Sequence, residues 1–184
     1  MRITGGEYRG RTLEAPKGRD IRPTSDKVRL AIFNMLNSRG LVEDAVVLDA
    51  FCGTGALGIE ALSWGASMGI FMDKARESLE LCKKNCSTLK LEPVKHLLKD
   101  ATKPGERIVD LPAADLIFLD PPYRMGLVEQ SLSALEKNGW LAEKGHAVLI
   151  ETESRYDASW LIGAGYEISL TKDYGDTQVM LAQK

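Results

Sequence analysis

Asp49-Ala50-Phe51-Cys52-Gly53-Thr54-Gly55-Ala56-Leu57-Gly58 is the stretch that decides the fold. It follows the apolar run Val46-Val47-Leu48 and leads into a helical pattern over Ala56–Trp64, so it reads as strand, tight turn and helix start. Gly53, Gly55 and Gly58 match G-x-G-x-x-G, in which missing Cβ atoms let the backbone turn sharply and approach a ligand closely. Downstream the alternation continues. A strand is predicted at Met68–Met72, a long helix at Ala75–Leu89, and strands near Val94–Leu98 and Ala114–Leu119. A helix from Leu127 to about Lys137, a fifth strand at Ala147–Glu151 and a short helix at Ala158–Ile162 follow. Tyr166–Thr171 and Thr177–Ala182, separated by Asp173-Tyr174-Gly175-Asp176, read as a closing antiparallel hairpin. The predicted fold is α/β: a doubly wound, mostly parallel sheet whose ligands lie beyond the carboxyl ends of the strands.

Upstream, residues 1–40 have a different character. Arg2 to Pro16 holds Gly5-Gly6 and Gly10 among short polar–apolar alternations, which predicts a β-hairpin or two short strands. A helix then starts at a cap on Thr24 or Ser25, with Asp26 at its positive end, and closes near Gly40. Residues 1–40 carry nine Lys/Arg against four Asp/Glu, a net of +5, while the remaining 144 carry fifteen against twenty-two, a net of −7. Either a basic arm sits on an acidic body, or this is an ordinary solvated face. The whole, 184 residues with 44% hydrophobic and 27% charged, suits a single domain: an extension over 1–40 and a catalytic core over 41–184. No apolar run approaches a membrane span and the start has no signal-peptide core, so a cytoplasmic protein is expected. Cys52, Cys82 and Cys86 are odd in number and lack a disulfide spacing. With only His96 and His146 beside them, they are expected to be reduced, packed thiols, with no metal.

The glycine pattern alone fits nicotinamide dinucleotide enzymes as well as methyltransferases, and so does Asp73, whose carboxylate can accept both ribose hydroxyls. Asp49 separates the two. A pyrophosphate favours an uncharged loop and a free helix N-terminus. S-adenosylmethionine has no phosphate, and its sulfonium and ammonium are attracted by an acid at the strand's end. The Asp-x-Phe-x-Gly-x-Gly run resembles the first motif of class I methyltransferases, a Rossmann-like fold. The cofactor-binding set is then Asp49, Phe51, Cys52, Gly53, Thr54, Gly55, Asp73, Lys74, Asp100, Ala101 and Asp120. Asp49 as a loop cap, and Asp73 or Asp100 as turn residues, are the structural alternatives.

Leu116-Ile117-Phe118-Leu119 runs into Asp120-Pro121-Pro122-Tyr123. Proline has no N–H, so this loop offers carbonyls, which suits an amine substrate. Asp120 and the Pro121 carbonyl can each accept one N–H of an –NH₂ group and turn its lone pair toward a methyl donor. Such positioning supplies up to roughly 7–11 kcal/mol in favourable cases. Tyr123 would stack on a flipped-out base. The tetrapeptide resembles the fourth motif of amino-group methyltransferases, which act on adenine N6, guanine N2, cytosine N4 or protein glutamine. The catalytic set is therefore Asp120, Pro121, Pro122 and Tyr123.

Met1-Arg2-Ile3-Thr4-Gly5-Gly6-Glu7-Tyr8-Arg9-Gly10-Arg11, Ile21-Arg22-Pro23-Thr24-Ser25-Asp26-Lys27-Val28-Arg29 and Phe33-Asn34-Met35-Leu36 together resemble the opening of the RsmD family, the bacterial 16S rRNA guanine-N2 methyltransferases. The likeness continues through Leu48–Leu62, the Asp-Pro-Pro-Tyr loop and Tyr174-Gly175-Asp176-Thr177, and so spans essentially the whole chain. Cys52 and Thr54 stand where many relatives have Ala and Ser. The resemblance implies S-adenosylmethionine as methyl donor, one guanine N2 of 16S rRNA as acceptor, and the 30S subunit or a late assembly intermediate as partner of a monomeric enzyme. It also implies RNA contacts from Arg9, Arg11, Arg22, Thr24, Arg29 and Tyr123, with Arg22 and Thr24 open to a role at the cofactor's methionine end. The competing expectation keeps the chemistry and changes the acceptor to an adenine N6 or cytosine N4 of DNA or another RNA.

Overall fold

In a computed structural model, residues 1–15, 25–122, 126–143 and 145–184 are described. Val46–Asp49 forms β1, Met68–Asp73 β2, Val94–Leu98 β3 and Leu116–Leu119 β4. Ala147–Glu153 forms β5, Glu167–Tyr174 β6 and Thr177–Gln183 β7. They make one sheet in the order β3-β2-β1-β4-β5-β7-β6. The first five are parallel, and β7 runs antiparallel between β5 and β6. The chain leaves β1 toward β2 and β3, then returns to build β4 on the other side. A crevice therefore opens between the carboxyl ends of β1 and β4, where open α/β sheets bind ligands.

β4 shows how the sheet fills both faces. Leu116 and Phe118 join one apolar cluster and Ile117 and Leu119 the other, all fully buried, because successive side chains of a strand point to opposite faces. On one face pack α4 (Leu127–Lys137) and α5 (Ser159–Gly163), through residues such as Leu132, Leu135 and Leu161. On the other pack α1 (Asp26–Ser38) and α2 (Ala56–Ser63), through Ile32, Phe33, Leu36, Leu57 and Ala61. α3 (Arg76–Leu89) joins them through Leu79, Cys82, Cys86 and Leu89, which meet Phe71 of β2. The expected doubly wound α/β sheet with a closing hairpin is the observed one. Among the described residues no helix is long and apolar enough to cross a membrane.

Two expectations change in detail. The closing hairpin turns on Gly175-Asp176 alone, since β6 continues through Asp173 and Tyr174, paired with Gln178 and Thr177. The amino-terminal hairpin has a single antiparallel bridge, Arg2 to Thr12, supported by Ile3 N–H to Arg11 O at 3.0 Å and Leu13 N–H to Met1 O at 3.0 Å. What holds it is α2 rather than its own ladder. The buried Glu60 carboxylate accepts from Thr4 N–H (2.9 Å), Gly5 N–H (2.9 Å) and the Thr4 hydroxyl (2.7 Å). Gly6, at φ 72°, passes so close to α2 that a Cβ there would lie 1.7 Å from the Ser63 carbonyl oxygen. The first fifteen residues are thus fastened onto the core. α1 starts at Asp26, capped by Ser25, whose hydroxyl accepts from Val28 N–H at 3.3 Å.

A row of carboxylates at the sheet's carboxyl edge

Five parallel strands end in, or directly before, an acid. In sheet order these are Asp100 after β3, Asp73 ending β2, Asp49 ending β1, Asp120 after β4 and Glu151 within β5. Register staggers them, with Asp49 two residues short of Asp73 and Asp120, and Asp73 two residues short of Asp100. Asp49 pairs with Phe71 and Phe118, and Leu119 pairs with Ile150, so Asp120 and Glu151 follow side by side. Neighbouring strands lie about 4.8 Å apart, so the row presents clustered negative charge along one edge.

Its centre is the glycine turn. Gly53 and Gly55 both have positive φ, 51° and 82°, and Gly55 caps α2 in the left-handed region. A Cβ on Gly55 would stand 2.6 Å from the Cys82 sulfur, so α3 packs directly beneath the turn. Asp49 Oδ2 accepts from Gly58 N–H at 3.0 Å, tying the strand's end to the first turn of α2. Burial pushes the Asp49 carboxyl up to about 7, against that hydrogen bond and with a further push from Asp73. Asp73 Oδ2 accepts from Gly53 N–H at 2.9 Å and its Oδ1 from Ala75 N–H at 2.8 Å, so one carboxylate braces the glycine turn and opens α3. Asp100 is held below the ordinary carboxylate range by the Thr102 hydroxyl (2.7 Å) and Thr102 N–H (2.9 Å).

Asp120 lies on the other side of the crevice. Ala50 N–H donates to Phe118 O at 3.1 Å, which joins the start of the glycine turn to the strand that carries Asp120. Desolvation, then the Glu151 and Asp49 carboxylates, raise the Asp120 pKa well above the usual carboxylate range. Such a site favours protons or cations and disfavours phosphate. Pro121 is buried and Pro122 exposed, and beyond them a shallow cleft is lined by Thr152, Glu153 and Tyr156 together with the start of α4.

The family described as "Conserved hypothetical protein 95" matches residues 1–183. Ribosomal RNA small subunit methyltransferase D of Escherichia coli (strain K12) is 37% identical over 157 residues, covering 83% of this chain and 75% of that protein. The chain belongs to this family. The protein of the same name from Haemophilus influenzae is 35% identical over 158 residues, covering 83% of this chain and 79% of the relative. A solved structure from Escherichia coli, named "Putative methyltransferase yhhF", superposes with a TM-score of 0.82 at 34% identity, covering 100% of this chain and 97% of that one. Membership agrees with the family resemblance carried by the sequence motifs.

The structure brings Asp49, Phe51, Cys52, Gly53, Thr54, Gly55 and Asp73 together around the turn, with Lys74, Asp100 and Ala101 at the adjoining strand ends and Asp120 and Pro121 across the crevice. Arg22, Thr24 and Tyr123 lie outside the described residues. Arg9 and Arg11 are exposed on the amino-terminal hairpin. Arg29 departs from its expected contact with RNA. It is fully buried, its Nε donating to Glu60 Oε2 at 2.9 Å and its Nη2 to Asp26 Oδ1 at 2.8 Å and to the Arg2 carbonyl. A guanidinium with no exposed surface and carboxylate partners fastens the extension to α2 instead of meeting phosphate.

Sequence reasoning missed Glu151 and Asn85. Glu151 reads as the end of a buried strand, and only the parallel register beside Asp120 reveals its place. Asn85, on α3, is buried; its side-chain N–H₂ donates to Thr54 O (3.0 Å) and Glu14 O (3.1 Å), and its oxygen accepts from Glu14 N–H (2.8 Å). It clamps the end of the amino-terminal hairpin to the glycine turn. Its partners stand 31 and 71 residues away, which no local pattern signals.

Proposed function

We propose that this chain uses S-adenosylmethionine to methylate the exocyclic N2 amino group of one guanine in small-subunit ribosomal RNA, with the 30S subunit or a late assembly intermediate as its substrate. The observation that carries this reading is that Asp120 and the glycine turn flank a single crevice, at the tips of adjacent parallel strands. The names carried by the Escherichia coli and Haemophilus influenzae relatives support rRNA of the small subunit as the substrate class.

The residues fit a cationic cofactor. Asp49 and Asp120 are acids that burial, and then neighbouring carboxylates, hold toward their protonated forms, and a ligand with two positive charges favours both as carboxylates. In this reading Asp73 and Asp100, at the next two strand ends, would take the ribose hydroxyls and the adenine. S-adenosylmethionine, when bound, supplies a methyl group on a positively charged sulfur. Asp120 and the Pro121 carbonyl would hold the guanine amino group by its two N–H bonds and direct the nitrogen lone pair at that carbon. Transfer would exchange the C–S bond for an N–C bond and leave the nitrogen with a positive charge and a proton to lose. The carboxylate of Asp120, beside Glu151 and Asp49, then regains its raised affinity for a proton and can take the one the nitrogen must lose.

The test is Asp120→Ala. It is expected to retain measurable S-adenosylmethionine binding in a calorimetric titration and to lose methyl transfer by orders of magnitude at saturating cofactor. Near-normal turnover would remove Asp120 from the chemistry.

A further inference from the structure

Beneath the glycine turn, on the face of α3 that packs against β2 and β3, lie side chains that the methyl-transfer reading does not use. Cys82 and Cys86 are buried and stand four residues apart on one helix, so both sulfurs face the same way. Across from them, β3 contributes His96, whose ring stacks on Phe71 at 5.2 Å between centroids and 14° between planes. Its Nε2 is buried and has no hydrogen-bond partner among the described residues. Two thiols and an imidazole offer one ligand atom each, all within 4.8 Å of one another. We propose that Cys82, Cys86 and His96 bind one Zn²⁺ ion, a site independent of the substrate assignment.

The geometry admits the ion with little movement. A triangle with 4.8 Å sides has its centre 4.8/√3, about 2.8 Å, from each corner, and zinc needs about 2.3 Å to sulfur and 2.0–2.1 Å to nitrogen. A contraction of at most about 0.5–0.8 Å closes the site. Two ligands spaced i, i+4 on one helical face, with a third from a neighbouring element, is an arrangement zinc proteins use. The donor set is borderline-soft, which selects zinc over magnesium or calcium. The fourth position is left to a water molecule, since the cluster of ligand atoms comprises Cys82, Cys86 and His96. An ion here would also satisfy the buried imidazole nitrogen and fasten α3 to β3 under the turn that Gly55 caps.

The test is a titration of chelator-treated, reduced wild-type chain with Co²⁺, read by its visible absorption, followed by displacement with Zn²⁺. One equivalent is expected to bind with the absorption of tetrahedral thiolate coordination and to be displaced by one equivalent of Zn²⁺. Cys86→Ser and His96→Gln, each checked for a native circular-dichroism spectrum, are expected to weaken Co²⁺ binding by more than the roughly 10–100-fold that loss of an outer-shell partner costs. A wild-type chain that gives no stoichiometric thiolate spectrum overturns the proposal, as does a folded Cys86→Ser chain with unchanged affinity.

Discussion

Replacing Asp49 with asparagine should make the protein more stable and less able to bind its cofactor. The carboxyl sits at about 7 in the folded chain against 3.8 in the ordinary state. Between those values the folded chain holds a proton that the unfolded chain has released, so stability falls as pH rises from about 4 to about 7 and then levels off. At about 1.36 kcal/mol per pKa unit, the gap corresponds to about 4 kcal/mol of stability lost by pH 8. Asparagine has nearly the same shape and keeps an oxygen to accept from Gly58 N–H, but has no proton to lose. The two proteins should therefore be similar in stability near pH 4. They should diverge as pH rises, with Asp49→Asn ahead by up to about 4 kcal/mol near pH 8. Urea unfolding of both proteins without cofactor, followed by circular dichroism at several pH values between about 5 and 8, measures the difference directly; over that span it should grow by roughly 2–3 kcal/mol. A constant difference across the range would refute the claim that burial holds this acid toward its neutral form.

The same linkage predicts that wild-type affinity for S-adenosylmethionine rises with pH toward about 7, with proton release on binding, while that of Asp49→Asn is weaker and less dependent on pH; calorimetry in buffers of different ionisation enthalpy reads both. Glu60→Ala removes the buried carboxylate partner of Arg29 and the acceptor of four further donors, so it should cost about 3–5 kcal/mol and lower Tm by roughly 6–20 °C, measured by thermal denaturation. Gly55→Ala forces an alanine to φ 82° with its Cβ 2.6 Å from the Cys82 sulfur, and should lower stability by at least about 1–2 kcal/mol in urea unfolding and weaken cofactor binding. Arg9→Glu with Arg11→Glu should weaken binding to small-subunit particles and lessen its salt dependence, in filter binding at several ionic strengths, with cofactor affinity unchanged.

Most of the sheet was legible because its strands are short aliphatic runs that end at an acid or a turn. Val46–Asp49 and Leu116–Leu119 are central strands packed by helices on both faces, and such strands read as unbroken hydrophobic stretches. β6 was harder. It is an edge strand, and its exposed Lys172 and Asp173 look like loop residues until β7 pairs with them. The candidate site was legible where a backbone requirement fixes residue type, as at Gly55, or where charge discriminates between cofactors, as at Asp49. It was not legible where a polar side chain is buried by partners distant in sequence. Arg29, Glu60 and Asn85 have the composition of a solvated surface, and only the fold supplies the groups that desolvate and satisfy them. Glu151 belongs with them, because its proximity to Asp120 follows from strand register alone.

Purified chain incubated with methyl-labelled S-adenosylmethionine, in parallel with small-subunit particles, naked 16S rRNA and duplex DNA, addresses the central assignment most directly. Digestion to nucleosides should recover the label as N2-methylguanosine from small-subunit RNA. Label on adenine N6 or cytosine N4, on DNA, or on no nucleoside at all would contradict it.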